Sequence, residues 1–261
     1  MPGSTIAVRQ VRHWFGLAGP GDARRVSVLD GVSLDVASGE FLAIVGPSGC
    51  GKTTVLNMVG GLIDPQHGEV LVNGHRPEIG APDIGYLFAR DGLLPWRTAE
   101  ANVALPLEIR KAARKDRHRL ASQALVAVGL GEFAHAYPAQ LSHGMRQRVA
   151  LARTLVTGPN TLLMDEPFSA LDAQTRLALQ EQFMRLWQHQ SSTVLFVTHD
   201  LAEAVALADR LVVFSQRPGR VKAEFPIDLP RPRSVTQLQA DASYHRILQQ
   251  VWDVFKSEVT V

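Results

Sequence analysis

One eight-residue segment restricts the fold of this chain more than any other feature. Residues 46–53 read Gly-Pro-Ser-Gly-Cys-Gly-Lys-Thr and match the pattern G-x-x-x-x-G-K-[ST]. The apolar run at 40–45 predicts a buried strand before it, and residues 53–62 predict a helix after it. Such a strand–turn–helix junction directs backbone N–H groups towards an anion. We therefore predict a phosphate loop for a nucleoside triphosphate, with Lys52 on the phosphates and Thr53 on Mg²⁺; the alternative is a turn that binds nothing.

The composition is that of an ordinary globular protein. Of 261 residues, 46% are hydrophobic and 20% are charged, which allows a buried core and argues against disorder. The net charge of +2 gives no electrostatic reason to propose a nucleic-acid partner. The single cysteine, Cys50, cannot form an internal disulfide and fits a reducing cytosol. We find no secretory signal and no membrane span, so we expect a soluble protein that can dock on a membrane partner.

Strand patterns occur in two parts of the chain. Alternating apolar and polar residues at 6–11 and 26–36 predict antiparallel strands, and residues 69–72 predict another strand before a tight Asn-Gly turn. Apolar runs at 161–164 and 193–197 predict buried strands with a helix between them. Strands that alternate with helices indicate an α/β fold with a mostly parallel sheet.

Helical patterns dominate the middle, from about 98 to 157. Ser142 is suited to cap a helix that runs to about Val156, and Asp200 is suited to cap another together with Glu203, three residues later. The proline- and arginine-rich residues 218–233 predict an irregular segment before a last helix at about 243–255.

Two further segments carry chemistry. The strand at 161–164 ends in Asp165 and Glu166, which places two carboxylates at the sheet edge where α/β proteins bind ligands. Such an aspartate holds Mg²⁺ in P-loop enzymes, and Glu166 could polarise the attacking water. At Ser142 a helix N-terminus offers a second anion site. Two phosphate-binding elements in one chain make sense if each nucleotide lies between two copies, although a plain capped helix is the alternative.

These motifs, in this order, resemble the nucleotide-binding subunit of an ABC transporter. Residues 46–53 resemble the Walker A motif, 141–145 the signature, 164–167 the end of Walker B, and 169–172 the D-loop, and His199 resembles the switch histidine. The resemblance implies a P-loop NTPase (RecA-like) core with an antiparallel β subdomain and a helical insertion subdomain.

The implied organisation is one ABC ATPase domain over residues 1–261. We expect the core and β subdomain at 1–88 and 158–230, the helical subdomain at 89–157, and a C-terminal tail at 231–261.

The resemblance also implies the cofactors ATP and Mg²⁺ and the roles of individual residues. Glu166 would be the general base, and His199 would contact the γ-phosphate. Two copies would pair head to tail, so that the signature of one contacts the nucleotide of the other. Adenine would stack on Phe15, with Trp14 as the neighbouring candidate and core packing as the alternative for either ring. The metal would bind Thr53 and Asp165, and the nucleotide would contact Phe15, Gly46, Pro47, Ser48, Gly49, Cys50, Gly51, Lys52, Thr53, Thr54, Ser142, His143, Gly144 and Met145.

A finer resemblance concerns the cargo. Residues 93–98, 102–108, 217–220 and 228–233 are similar to the nitrate/sulfonate/taurine branch of bacterial importers. That branch implies a small anion, a separate membrane permease and a periplasmic binding protein. The chain would then be a peripheral protein at the cytoplasmic face of the inner membrane. The alternative is that these segments belong to a shared ATPase scaffold.

The chain departs from the family pattern at two positions. Ala89 stands where the family usually has glutamine, and alanine can neither ligate Mg²⁺ nor hydrogen-bond water. We hypothesise that Arg90 or Asp91 partly substitutes, or that metal affinity and coupling to the permease are weaker. His143 stands where the signature usually has glycine, and it is either a tolerated surface residue or a phosphate contact.

Two other functions compete with transport. One is a soluble ABC ATPase that serves nucleic acid or ribosomes, and the other is a regulatory subunit with weak catalysis, as Ala89 would suggest. The basic run at 110–119 could indicate nucleic acid, but it contains Asp116 and has helical spacing. We therefore predict a solvated helix face there.

Overall fold

The structure is a computed structural model that describes residues 3–16, 25–188 and 190–259. In these ranges the chain forms nine strands: β1 (Ile6–Phe15), β2 (Val26–Val36), β3 (Phe41–Val45), β4 (His67–Val72), β5 (Ile84–Leu87), β6 (Thr161–Asp165), β7 (Thr193–Thr198), β8 (Arg210–Phe214) and β9 (Val221–Pro226).

The same ranges contain eight α-helices: α1 (Lys52–Val59), α2 (Ala99–Ile109), α3 (Arg114–Ala127), α4 (His143–Leu155), α5 (Ala173–Gln188), α6 (Leu201–Leu207), α7 (Val235–Leu238) and α8 (Ala242–Val259). None of these described helices is long and apolar enough to cross a lipid bilayer.

The strands form two sheets. A six-stranded sheet has the order β5-β6-β7-β3-β8-β9, in which neighbours are parallel except for the antiparallel pair β8–β9. A three-stranded antiparallel sheet has the order β2-β1-β4. This architecture confirms the predicted α/β, P-loop NTPase fold, with its mostly parallel sheet and separate antiparallel sheet.

Strand β3 lies in the middle of the large sheet and divides the core. Its side chains alternate between the two faces, as the strand period requires. Phe41, Ala43 and Val45 pack into the cluster that contains the helices α2, α4, α5, α6 and α8. Leu42 and Ile44 pack into a second cluster with α1 and the three-stranded sheet. Both faces of the large sheet are therefore covered. The core strands remain accessible only at the sheet edge where their C-terminal ends lie.

The helices α2, α3 and α4 contact one another beside β5 and β6, within the part of the chain expected to be the helical insertion. The basic run that precedes and enters α3 lies on a charged helix face, as predicted: Arg117 approaches Glu108, His118 approaches Glu100, and Arg119 pairs with Asp116.

Two sequence-based predictions need correction, and two strands were missed. Helix α1 ends at Val59 rather than at 62, because Gly60 is its C-cap and Gly61 adopts a positive φ of 70° that reverses the chain. The segment expected to be irregular contains strand β9, which pairs with β8 at the sheet edge and ends at Pro226. An edge strand tolerates a terminal proline because that residue's missing N–H is not needed by the ladder. The strands β5 and β8 were not predicted.

Candidate functional site

The phosphate loop joins the C-terminal end of β3 to the N-terminus of α1, as predicted. Gly51 has a φ of 98°, a region that L side chains rarely adopt. A Cβ atom at this position would also collide with the side chains of Val28 and Leu29 in β2. Glycine is therefore required here both by the turn and by the close approach of the β1–β2 hairpin.

Lys52 is the positive charge at the centre of this loop. The residue is only 6% exposed, and its Nζ donates hydrogen bonds to the carbonyl oxygens of Gly46 and Pro47, at 2.7 and 3.1 Å. No carboxylate forms an ion pair with it in the described part of the chain. A buried cation that is held only by neutral acceptors favours an anionic ligand, because burial of an uncompensated charge is unfavourable. The loop therefore suits a phosphate chain.

Asp165 lies opposite α1 at the end of β6. Its Oδ1 accepts a hydrogen bond of 2.9 Å from the hydroxyl of Thr53. Burial raises the pKa of this carboxyl, with a further raising effect from Glu166 and lowering effects from Thr53 and Lys52. Two oxygen donors side by side match what Mg²⁺ takes from protein in phosphoryl-transfer sites, where water and phosphate complete the shell. The residues present therefore fit this metal.

Glu166 and His199 meet beside this pair. Strands β6 and β7 are parallel neighbours in which Asp165 is opposite Val197, so the residues after the two strand ends are close together. The His199 Nδ1 lies 3.0 Å from Glu166 Oε2. Glu166 also has a positive φ of 47°, which is uncommon for a residue with a side chain.

The phosphate loop and His199 line one cavity of about 570 Å³, formed on that side by Gly46, Pro47, Ser48 and Gly49. Sequence reasoning placed these residues in one site on the strength of motif order alone. The structure brings them together because β3 and β7 are adjacent parallel strands whose C-terminal ends share an edge.

A network behind His199 was not foreseen from the sequence. Asp200 caps α6 as predicted, by accepting from the N–H groups of Ala202 and Glu203. The Glu203 side chain instead points inwards, where it accepts from Thr198 Oγ1 at 2.8 Å and from Gln180 Nε2 at 3.0 Å. Burial raises its pKa to about 7. A carboxyl three residues after an N-cap can bond back to the backbone of the cap or point into the core. Only the packing of the folded chain selects the second arrangement for Glu203.

Arg176 links this network to the segment expected to be the D-loop. Its guanidinium pairs with Asp200 at 3.3 Å, lies 3.9 Å from Glu203, and donates to the carbonyl oxygen of Leu171 at 3.1 Å. One arginine thus connects the backbone at Leu171 with the residues next to His199.

The two aromatic candidates for adenine differ in their surroundings. Phe15 is 46% exposed and meets the buried ring of His13 edge to face at 4.7 Å. Trp14 points the other way: its ring is tilted against His67 at 5.7 Å and lies beneath Arg25 at 5.4 Å. Phe15 is therefore the candidate whose ring is more available to a ligand.

The signature segment forms the start of α4, and Ser142 is its N-cap, as predicted, accepting from Met145 N–H at 3.3 Å. Gly144 packs against Thr175 of α5 so closely that an added Cβ would lie 2.6 Å from the threonine methyl carbon. Within the described residues no hydrogen bond or ion pair joins this segment to the phosphate loop of the same copy. The predicted second anion site therefore has no such link to the phosphate loop within one copy.

His143 and the segment after β5 are the two departures from the family pattern. The His143 Nδ1 lies 3.3 Å from an Arg146 guanidinium nitrogen. Both carboxylate oxygens of Asp91 are used, one by the N–H of Leu93 at 3.2 Å and the other by Arg146 at 3.0 Å. Asp91 therefore ties the segment after β5 to the signature helix.

Comparisons with known proteins agree with this geometry. The sequence profile of the ABC transporter family matches residues 29–169. The chain is 45% identical over 238 residues to an uncharacterised ABC transporter ATP-binding protein of Methanocaldococcus jannaschii, covering 91% of this chain and 88% of the relative. It is 44% identical over 208 residues to the taurine import ATP-binding protein of Rhizobium johnstonii, covering 80% and 79%. It is 37% identical over 246 residues to the aliphatic sulfonates import ATP-binding protein of Bacillus cereus, covering 94% and 95%.

Two solved structures are also similar. One is the dimeric post-hydrolysis state of an ATP-binding cassette bound to ADP and Pi, with a TM-score of 0.75 and 31% identity over 86% of this chain and all of that one. The other is a dimeric ABC transporter cassette with a TM-score of 0.75, 32% identity and the same coverage. By its motifs, its fold and these relatives, the chain belongs to the ABC transporter family and is an ATP-binding, ATP-hydrolysing subunit.

Proposed function

We propose that this ATPase powers the import of a small anion, of nitrate, sulfonate or taurine type, through a separate membrane permease. It would act as a head-to-tail pair of copies on the cytoplasmic face of a bacterial inner membrane, with a periplasmic binding protein delivering the cargo to the permease. The observation that carries the catalytic part is the pairing of Thr53 with Asp165 and of Glu166 with His199 at one sheet edge.

The proposed hydrolysis uses these four side chains and Lys52. On binding ATP, Lys52 exchanges the carbonyl oxygens of Gly46 and Pro47 for phosphate oxygens. Thr53 and Asp165 would hold Mg²⁺, which would supply neutralisation of the phosphate charge. Glu166 accepts a proton from water as the water oxygen bonds to the γ-phosphorus and the bond to the bridging oxygen of ADP breaks.

His199 is placed to orient this step. Its Nδ1 would bond Glu166 while its Nε2 would face a γ-phosphate oxygen. Ser142, His143, Gly144 and Met145 of the second copy would cover the γ-phosphate with the helix N-terminus of α4. Phe15 would stack on adenine.

The cargo class rests on relatives and on sequence segments. Two relatives are import ATP-binding proteins for taurine and for aliphatic sulfonates. Both cargoes carry a sulfonate group, a small and strongly acidic anion. An ATPase unlinked to transport is the competing function, and no contact in the described residues favours it.

The test is uptake in the host cell. Deletion of the gene should abolish uptake of one of labelled taurine, alkanesulfonate or nitrate, and the wild-type gene should restore it. Glu166→Gln should fail to restore uptake although the purified variant binds ATP. The matched control is Glu132→Gln, which changes an exposed carboxyl away from the site and should restore uptake fully. If all three anions enter the deletion strain normally while the purified chain hydrolyses ATP, the cargo class is wrong.

A further inference from the structure

The turn between β8 and β9 contains the Arg217-Pro218-Gly219-Arg220 segment, to which the catalytic assignment gives no role. The backbone of Gly219 is fastened to β2: its N–H donates to Val28 O at 2.8 Å, and its carbonyl accepts from Asp30 N–H at 3.1 Å. Arg220 forms an ion pair with Asp30. The turn is thereby tied to the hairpin that also touches Gly51.

The same turn lies directly on the phosphate loop. A Cβ atom added to Gly219 would collide with the carbonyl oxygen of Cys50. That carbonyl belongs to the peptide group whose N–H is on Gly51. Because a trans peptide is planar, its C=O and N–H point in opposite directions, and a contact that fixes one also aims the other. The turn therefore limits how the Gly51 N–H can be directed.

Helix α8 holds the turn from its other side. Glu258 is 8% exposed, and its Oε2 accepts from Gln216 N–H at 2.9 Å. Its Oε1 accepts from Lys222 Nζ at 2.7 Å, and its backbone carbonyl accepts from Gln216 Nε2 at 2.8 Å. Gln216 and Lys222 lie on either side of the turn, so a single carboxylate clamps both of its ends.

The cavity beside the phosphate loop connects the two parts. Its walls are formed by the loop and His199 on one side, and by Gln216, Arg217, Phe255 and Glu258 on the other. The C-terminal part of α8 is thus a wall of the cavity beside the phosphate loop, although it lies about 200 residues from that loop along the chain.

We propose that Glu258 is a positioning residue for nucleotide binding: it holds the β8–β9 turn against the Cys50 carbonyl and so fixes the phosphate loop in its binding conformation. The proposal rests on ATP binding by this chain and not on the proposed cargo. A charge-assisted clamp outside the reacting atoms should influence the affinity for nucleotide more than the chemical step.

The experiment measures the dissociation constant of a fluorescent ATP analogue and the steady-state ATPase rate of the full-length purified protein. Glu258→Gln replaces one of the two acceptor oxygens with an NH₂ group, so either the Gln216 N–H or the Lys222 ammonium loses its acceptor. We expect it to weaken nucleotide binding about fivefold to twentyfold and to raise KM similarly, with kcat within about twofold of wild type. Lys222→Met removes one partner of the clamp and should raise the dissociation constant and KM by smaller factors.

The matched control is Asp253→Asn on the same helix. Asp253 is exposed and pairs with Lys256 at 2.5 Å, away from the turn. The Asp253→Asn variant should leave the dissociation constant and KM unchanged. Gly219→Ala tests the contact itself and should weaken binding at least as much as Glu258→Gln. Circular dichroism melting of each variant separates a local change from global unfolding.

Unchanged affinity in Glu258→Gln, with or without a lower melting temperature, would show that the clamp is only structural and would overturn the proposal. An equal loss in Asp253→Asn would overturn it as well, since the effect would then belong to the helix in general. Because these measurements need no permease, failure of the cargo assignment cannot imitate either result.

Discussion

Glu166 has a backbone conformation that is energetically unfavourable for a residue with a side chain. Its φ of 47° is a left-handed conformation that is unfavourable by roughly 1–2 kcal/mol for a residue with a Cβ. The backbone is held there by bonds from Glu166 N–H to Val197 O and from Ser169 to Glu166 O, all between 2.9 and 3.2 Å. The strain directs the carboxylate towards His199, and we infer that orientation of the base is what it serves.

We expect Ala89 to make Mg²⁺ binding weaker than it would be with glutamine at this position. Its backbone carbonyl is fixed by Gln147 Nε2 at 2.9 Å, so the position is well defined, but its side chain offers no oxygen. Ala89→Gln would add a carbonyl oxygen of the kind that Mg²⁺ accepts. We expect the Mg²⁺ concentration for half-maximal ATPase activity to fall about threefold or more.

The measurement is a Mg²⁺ titration of ATPase rate at saturating ATP. Ala89→Met is the control, since methionine has nearly the length of glutamine without its oxygen donor. Identical titration curves for Ala89→Gln and wild type would contradict the idea that the missing side chain limits metal affinity.

At the scale of elements, α5 and α6 are joined by the polar cluster around Glu203 rather than by apolar contacts alone. Arg176 and Gln180 come from α5, and Asp200 and Glu203 come from the start of α6. Because Arg176 also donates to Leu171 O, one side chain connects the segment at 169–172 with the start of α6, next to His199. These contacts of one arginine directly connect two segments that would face the second copy.

Glu203 should make stability depend on pH. Its pKa is about 7 in the folded protein, above the ordinary value of 4.5. Between these values the folded protein retains a proton that the unfolded chain has released, so stability falls as pH rises from about 4.5 to 7 and then levels off. Glu203→Gln removes this contribution and should flatten the profile by on the order of 1–3 kcal/mol.

Urea unfolding of wild type and Glu203→Gln at pH 5 and pH 8 provides the measurement. The difference between the two proteins isolates this carboxyl, since the other titrating groups are common to both. Parallel pH profiles would mean that Glu203 is ionised in the folded protein throughout, stabilised by Arg176 and its two hydrogen-bond donors.

At the scale of the whole molecule, the main feature is the separation of the phosphate loop from the segment at 141–145, for which we propose a second anion-binding role. The phosphate loop lies on the large sheet, whereas Ser142 begins a helix of the α2–α4 group, and both solved relatives described above are dimers. An isologous pair would complete two identical sites, each with a phosphate loop from one copy and a signature from the other.

A mixing experiment tests this composite site. Lys52→Ala disables a phosphate loop and Ser142→Arg blocks a signature, so each variant alone should be inactive. Random pairing of equal amounts should restore one intact site in half of the dimers, which is about a quarter of wild-type activity. No recovery in the mixture, with dimers of both variants demonstrated by native mass spectrometry, would indicate that each copy works alone.

The features that the sequence predicts correctly depend on residues that are close together along the chain. The phosphate loop, the buried strands β3, β6 and β7 and the caps at Ser142 and Asp200 depend on residues within a few positions of one another. The sequence predicts an irregular segment at β9 because proline and arginine neighbours dominate the local pattern. Its pairing with β8 is visible only once the sheet edge exists.

The sequence by itself determined the phosphate loop, the two acids Asp165 and Glu166 at the end of the β6 region, and the capped start of α4, because each is written in contiguous residues. Only the tertiary structure decided which partners the polar side chains take. Asp91 pairs with Arg146, Glu203 turns inwards to Gln180, and Glu258 reaches Lys222, across separations of 55, 23 and 36 residues. Such pairings depend on the relative placement of whole elements, and that placement is set by burial of the shared core rather than by any local motif.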